Sequence, residues 1–209
     1  MSQVKRKRGR PASIDKSAAM QAVIELFRSK GYAAVSLDEL SDVTGLSRPS
    51  LYRTFGNKLS MYVGAMNAFG EQVREQAVPA LQADGPLETA IASFLEAMLS
   101  IYYRDSDIDP GCLVFGTAPS SADEAAIKSR LRVGIEQLDD LLRSRILRSV
   151  PNCPTAQLNT ATHLVANTLI AFSARAKSGE SQANLTMMSQ NCARAVSEML
   201  GVSSAQTSL

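Results

Sequence analysis

Apolar residues recur at helical spacing along almost the whole chain. Met20, Val23, Ile24 and Phe27 stand at i, i+3, i+4 and i+7, one stripe of an amphipathic helix over residues 15–30. Gly31 follows as a C-cap glycine, and Tyr32 can fold back on the stripe. Ser36-Leu37-Asp38-Glu39 is a capping box: the serine hydroxyl takes the backbone N–H at Glu39, and Glu39 reaches back. It opens a second helix with Leu40 and Val43 facing inward. Gly45 makes a turn, and Leu46 plugs the angle to a third helix. That helix starts at Ser47, carries Pro49 in its first turn, where a missing N–H costs nothing, and stops near residues 55–56. Asn57 caps a fourth helix running to about residue 76, with Leu59, Tyr62, Val63 and Met66 among its inward residues.

Past Pro79 the predicted helices lengthen. Pro86 opens one that reaches about residue 103, and residues 104–110 read as an acidic loop. A short helix is expected over 112–117, and a long one, polar on one side, over 123–148. Pro151 and Pro154 then punctuate the chain before two last helices over 155–177 and 184–200. There is no sustained period-two alternation and no internal repeat. The pattern predicts an all-α fold of about nine helices. A flexible basic arm covers 1–13, a helix-turn-helix domain 14–60, a second helical domain 61–201 and a flexible tail 202–209.

Charge sharpens this division. Residues 1–58 carry 11 Lys and Arg against 5 Asp and Glu, whereas residues 59–209 carry 11 against 15. A basic module on a mildly acidic body implies that one end meets a polyanion. No apolar run is long enough for a transmembrane helix, and no apolar segment follows the basic N-terminus as in a secretory signal. The three cysteines, Cys112, Cys153 and Cys192, lie far apart, and His163 is the only histidine. That composition argues against a metal site, a disulfide framework, a cofactor-dependent centre or an enzyme, and fits a reducing cytoplasm.

The second and third helices have helix-turn-helix dimensions. In that motif the second helix enters the major groove with its N-terminal residues against base edges. Here those residues are Ser47, Arg48, Pro49 and Ser50. Arg48, the one long donor at the tip, suits a guanine, and Pro49 offers an apolar surface to a thymine methyl. Ser47, Ser50, Tyr52, Arg53 and Thr54 suit phosphate oxygens, which hold the register. Lys58, at the start of the fourth helix, adds its ammonium to exposed N–H groups, a phosphate site. Arg8-Gly9-Arg10-Pro11 reproduces the core of an AT-hook, so Arg8 and Arg10 are expected in the minor groove of A·T-rich DNA.

The run L-F-x-x-x-G-Y followed by S-L-D-E-L-x-x-x-x-G-L-S-x-x-S-L-Y-x-x-F-x-x-K resembles the N-terminal signature of the TetR/AcrR regulators. Leu26, Phe27, Gly31, Tyr32, Ser36, Leu40, Gly45, Leu46, Ser47, Leu51, Tyr52, Phe55 and Lys58 carry it. Val35 stands where that family usually has threonine, and Thr44 where a small apolar residue is common. The resemblance implies that Tyr52 and Lys58 touch phosphates, with Ser36 also on the DNA side. It implies a C-terminal ligand-binding and dimerisation domain whose last two helices pair across a two-fold axis.

On that reading, candidate pocket residues are Met66, Phe69, Phe94, Met98, Tyr102, Cys112, Phe115 and Asn167. Candidate dimer residues are Leu158, Val165, Phe172, Met188, Cys192, Val196 and Met199. The expected function is a homodimeric, cytoplasmic and nucleoid-associated repressor on a palindromic double-stranded operator, released by a small-molecule effector, with no membrane partner. The alternatives are an architectural A·T-rich DNA-binding protein, a TetR-like activator and a regulator sensing redox state through Cys112.

Overall fold

The structure, a computed structural model, describes residues 15–104 and 110–202. The arm with Arg8 and Arg10, and most of the tail, lie outside these. Helix α1 (Lys16–Ala34) begins where Asp15 accepts hydrogen bonds from the N–H groups of Ser17 and Ala18, at 3.0 and 3.1 Å. It buries Val23, Ile24 and Phe27 as the stripe predicts. Its regular course breaks at Gly31, where φ is 77°, a conformation that glycine adopts without steric penalty. Helices α2 (Leu37–Thr44) and α3 (Arg48–Phe55) follow, joined through Gly45 in the left-handed region.

Asn57 caps α4 (Lys58–Gln76), accepting from the Ser60 N–H at 2.8 Å. The chain continues through α5 (Val78–Gln82), α6 (Leu87–Tyr102), α7 (Leu113–Thr117) and a 3-10 turn (Ala118–Ser121). Three long helices close it: α8 (Ala125–Ser149), α9 (Thr155–Lys177) and α10 (Gln182–Met199). The described residues thus form ten α-helices rather than nine. The addition is α5, five residues long with Pro79 in its first turn, too short to show a period.

Helix α6 is the axis of the body. Its buried positions include Leu87, Ile91, Phe94, Leu95, Met98, Leu99 and Tyr102, an arc wide enough to need neighbours on several sides. α5, α9 and α10 supply them, and α8 packs along α9. Arg145 of α8 fastens the α5 end, donating to the carbonyls of Leu81 and Gly85 at 2.8 and 2.9 Å. Helix α7 meets α9 at Gly116, where a Cβ would stand 2.4 Å from Ser173 Oγ. That hydroxyl accepts the Cys112 N–H at 2.9 Å.

Two buried polar contacts join the N-terminal helices to this body. The guanidinium of Arg28, 2% exposed, donates through Nη1 to the carbonyls of Ile101 and Tyr102 at 3.3 and 2.9 Å. These belong to the last turn of α6, whose carbonyls have no helical partner. Nε of Arg28 donates to Glu25 at 3.0 Å. Farther along, the hydroxyls of Tyr62 and Thr117 lie 2.6 Å apart in the core. Thr117 donates its own hydrogen to the Leu113 carbonyl at 2.5 Å, so Tyr62 is the donor between them. Phe27 stands edge-on to Tyr62, with ring centroids 4.9 Å apart.

Val43 departs from expectation. It is 45% exposed and borders a shallow depression with Asp15, Ala18 and Ala19. In an eight-residue helix only Leu40 is fully enclosed, because α2 rests on α1 along a narrow line.

Replacing Arg28 by Ala removes a charged donor from two α6 carbonyls and leaves the cavity of its side chain. The expected loss is about 3 kcal/mol of unfolding free energy, read as a lower denaturant midpoint. A midpoint unchanged from wild type would show that the tie contributes nothing.

Candidate functional site

The N-terminal end of α3 faces solvent. Ser47, Arg48 and Pro49 are exposed, Leu51 is enclosed, and Tyr52 is 46% exposed, so Tyr52 is not a core tyrosine. Arg48 does not wave freely: its Nε donates to Asp38 Oδ1 at 2.9 Å and its Nη2 to the same oxygen at 2.5 Å. That contact holds Nε and one edge of the guanidinium against α2 and leaves Nη1 directed away from it. Ser47 shares a hydrogen bond with Ser50 at 3.0 Å, and Arg53 Nη2 donates to Ser50 Oγ at 3.2 Å. Thr54 is half-buried.

Lys58 is anchored from below. Its ammonium lies 4.8 Å from the Tyr32 ring centroid and donates to the Ala33 carbonyl at 3.3 Å. Burial pushes its pKa down, and Glu39 opposes the shift. An ammonium has three donors, so this anchorage leaves capacity for an anion. Ser36 fares differently. Its hydroxyl and its N–H both donate to Glu39 Oε2, at 2.8 and 2.7 Å, which commits both donors to the capping box. Neither donor of Ser36 is therefore available to DNA while the box is closed. Val35, at 2% exposed, is a core residue.

In the body, a cavity of about 820 Å³ opens among α4, α5, α6, α7, α8 and α9. Phe69, Phe94, Met98, Cys112 and Phe115 line it, five of the eight expected residues. Met66 and Tyr102 are instead closed into the core, and Asn167 is exposed on the outer side of α9. The larger omission is α8. Arg130, Val133, Gly134, Gln137, Leu138 and Leu141 all reach the cavity. They recur at i, i+3, i+4, i+7, i+8 and i+11, so the helical period held the signal. Cys112 is fully buried, and burial raises its thiol pKa, opposed by the Phe115 N–H. A neutral, enclosed thiol is a poor oxidation target, which disfavours a redox sensor. Among the described residues no three His, Cys, Asp or Glu side chains gather as a metal site, and no helix is long and apolar enough to cross a membrane.

The profile of the bacterial regulatory proteins, tetR family, matches residues 19–64, which span α1 to the start of α4. The chain carries a TetR-family N-terminal domain. The HTH-type transcriptional repressor ComR of Escherichia coli (strain K12) is 29% identical over 163 residues, 74% of this chain and 77% of ComR. The HTH-type transcriptional repressor BdcR of the same organism is 32% identical over 109 residues, 51% of this chain and 53% of BdcR. A solved structure of the TetR-family regulator CifR, a cysteine mutant complexed with 26-base-pair operator DNA, superimposes with a TM-score of 0.75. It is 22% identical, covering 89% of this chain and 99% of that one. A TetR regulator from Chloroflexus aurantiacus J-10-FL gives 0.72 at 20% identity, covering 87% and 95%. At these identities the solved structures establish the fold. With this domain and these relatives, the chain is a DNA-binding transcriptional regulator and not an enzyme.

The two last helices correct the expected dimer surface. Leu158, Val165, Phe172 and Val196 are buried within the protomer, and Met188, Cys192 and Met199 are half-buried. Their stripes face inward because α6 and α8 lie against them. The outward face is another set: Leu164, Asn167, Ala171 and Ala174 on α9, with Met187, Asn191 and Ala195 on α10. Leu164 is 41% and Met187 55% exposed. His163 is exposed beside Leu164 rather than enclosed in the core.

The capping box carries a pH signature. Hydrogen bonds from Lys30, then from the Ser36 N–H and hydroxyl, lower the Glu39 pKa to about 2. A carboxyl depressed in the folded state stabilises it above the unfolded value, and that contribution is lost as pH falls toward the folded one. The start of α2 is therefore expected to hold at pH 4.5 and to loosen only near the value of about 2. NMR titration of the Glu39 carboxyl and the Ser36 amide reads this directly. A midpoint at the ordinary 4.5 would show that the box is open in solution.

Proposed function

We propose that this chain is a homodimeric, cytoplasmic repressor that holds a palindromic operator with α3 and leaves it when a small molecule fills the cavity of the body. The observation that carries this reading is the position of α6 and α7. Both line the cavity; α6 also grips α1 through Arg28, and α7 grips α4 through the Tyr62–Thr117 contact. A ligand that moves either helix acts on the support of the helix-turn-helix. Such coupling needs different affinities for the bound and released states, which a cavity wall shared with the joint provides.

The residue roles follow from exposure and chemistry. Arg48, oriented by Asp38, reads a guanine, and Pro49 meets a base edge. Ser47, Ser50, Tyr52, Arg53, Thr54 and Lys58 hold phosphates. Arg8 and Arg10 extend the contact into the minor groove, and the bound protein is nucleoid-associated. The α9–α10 outward face forms the two-fold contact. Between residues 155 and 174 α9 carries no Asp, Glu, Lys or Arg, and the small Ala171 and Ala174 permit close approach. Two-fold symmetry then matches the two half-sites of a palindrome. The helix-turn-helix domain of 14–60 and the body of 61–201 share α4, which crosses their boundary.

Footprinting on the DNA upstream of the chain's own gene is expected to give a protected, symmetric site. Arg48→Ala should weaken that site by about ten- to a hundredfold, with little change on unrelated DNA. Lys58→Ala should weaken all sequences alike and lower the salt slope by about one. Equal losses on specific and unrelated DNA for Arg48→Ala would remove its base-reading role. The absence of any protected site would sink the operator reading.

The α9–α10 face has a separate test. Leu164→Glu places a charge in the proposed two-fold contact and is expected to yield a monomer in sedimentation analysis. A variant that stays dimeric would move the interface elsewhere.

A further inference from the structure

Arg130 stands out among the residues that line the cavity. Its Nε donates to Asn67 Oδ1 at 2.6 Å. Its Nη1 is fully buried with no hydrogen-bond partner, and among the described residues no carboxylate is within ion-pair distance of it. Arg74, the other cation at the cavity, is already paired with Glu71. Arg130 is half-buried, and a guanidinium drawn partly out of water without an ion-pair partner is costly; burial pushes its pKa down accordingly, against the more distant pull of Glu71. It nevertheless stays protonated, because a guanidinium is too weak an acid to lose its proton.

The surrounding backbone makes room for this group. A Cβ on Gly70 of α4 would stand 3.1 Å from Arg130 Nη2, and one on Gly134 of α8 would stand 3.6 Å from Nη1. Both glycines are interior to their helices at ordinary helical φ, where glycine is the least favourable residue short of proline. Local conformation does not call for glycine at either place; at Gly70 a Cβ would crowd the guanidinium, whereas at Gly134 it would be in ordinary contact with Arg130 and with Val114 at 3.4 Å. Much of the remaining wall is apolar, with Phe69, Phe94, Met98, Phe115, Leu138 and Leu169, beside the polar Gln82 and Gln137.

We infer that the cavity takes an organic carboxylate with an apolar body, its carboxylate on Arg130 and its hydrocarbon against the phenylalanine and leucine wall. This rests on the reading that the cavity is the effector site. One unpaired guanidinium matches one negative charge. A phosphate monoester, with close to two, would leave charge facing the Glu71 carboxylate at the same cavity. The planar fork of the guanidinium also suits a carboxylate, which accepts two parallel hydrogen bonds.

The test compares probes that differ only in their head group. Decanoate, decanol and decyl phosphate are titrated calorimetrically into the wild-type protein, and decanoate and decanol into Arg130→Gln. Decanoate is expected to bind the wild type about ten- to a hundredfold more tightly than decanol, the range for a hydrogen-bonded charge. In Arg130→Gln that preference should vanish through loss of decanoate affinity. Thermal unfolding of the variant establishes that it folds. Should it not, the wild-type comparison of carboxylate with alcohol decides alone. Equal binding of decanoate and decanol to the wild type would overturn the carboxylate assignment while leaving the cavity a ligand site. Tighter binding of decyl phosphate would overturn it in favour of a phosphate. If no probe binds, the carboxylate assignment fails and the effector reading of the cavity loses its support.

Discussion

A guanidinium cannot be buried without acceptors, and that requirement organises this molecule. Arg28 leaves the otherwise apolar stripe of α1 and enters the core, where the acceptors within reach are the last carbonyls of α6 and the carboxylate of Glu25. Helix ends always leave carbonyls unpaired, so one contact satisfies both partners. The consequence is mechanical. The first helix of the DNA-binding region cannot move away from the central helix of the body without exposing a charge and two carbonyls to an apolar surrounding. Tyr62 and Thr117 repeat the arrangement one helix over, with a hydroxyl pair in place of an ion. Burial pushes the Tyr62 pKa up to about 12, so this joint stays neutral and insensitive to pH over the range in which proteins function.

These two joints determine what the cavity can influence. Its apolar wall includes Phe94 and Met98 of α6 and Val114 and Phe115 of α7. The same helices hold Arg28 and Tyr62 on their other sides. Packed helices shift as units rather than deform smoothly, so displacement of a wall reaches the opposite face. The close approach at Gly116 and the Cys112–Ser173 hydrogen bond tie α7 to α9 as well. Helix α7 thus lies between the cavity, the DNA-binding region and the helix that carries the outward two-fold face.

The legibility of this arrangement in the sequence divides along physical lines. Local features were readable because their causes are local. The capping box at Ser36, the left-handed Gly45, the Asn57 cap and the stripe of α1 each depend on residues within a few positions of one another, and each stands where the pattern puts it. The all-helical fold and five cavity residues followed from period and from apolar character. What failed was the sidedness of helices that are apolar on more than one face. Val165, Phe172 and Val196 form a stripe that could equally meet a partner or the protomer's own α6, and spacing does not distinguish the two. Asn167 and Met66 were misplaced for the same reason, one outward and one inward. Arg28 shows a different limit. An arginine in the last regular turn of α1, just before the break at Gly31, reads as a surface cation until the far-off carbonyls of residues 101 and 102 are placed beside it.

The reading head itself contains a tension that the fold resolves. An acidic first turn stabilises a helix, because the N-terminal end of the dipole is positive, and α2 accordingly carries Asp38 and Glu39 there. That end also points toward the surface expected to meet phosphates, where carboxylates repel. Glu39 is neutralised by Lys30 at 2.5 Å and by the Ser36 donors. Asp38 is neutralised by Arg48. Both carboxylates that favour α2 are therefore paired with cations of neighbouring helices. In the case of Asp38 the pairing also limits the rotation of the side chain best placed to read a base. The pair is exposed, so its contribution to stability is small. Its larger effect is on orientation, since a guanidinium already held along one edge loses less rotamer freedom on meeting a guanine than a free one.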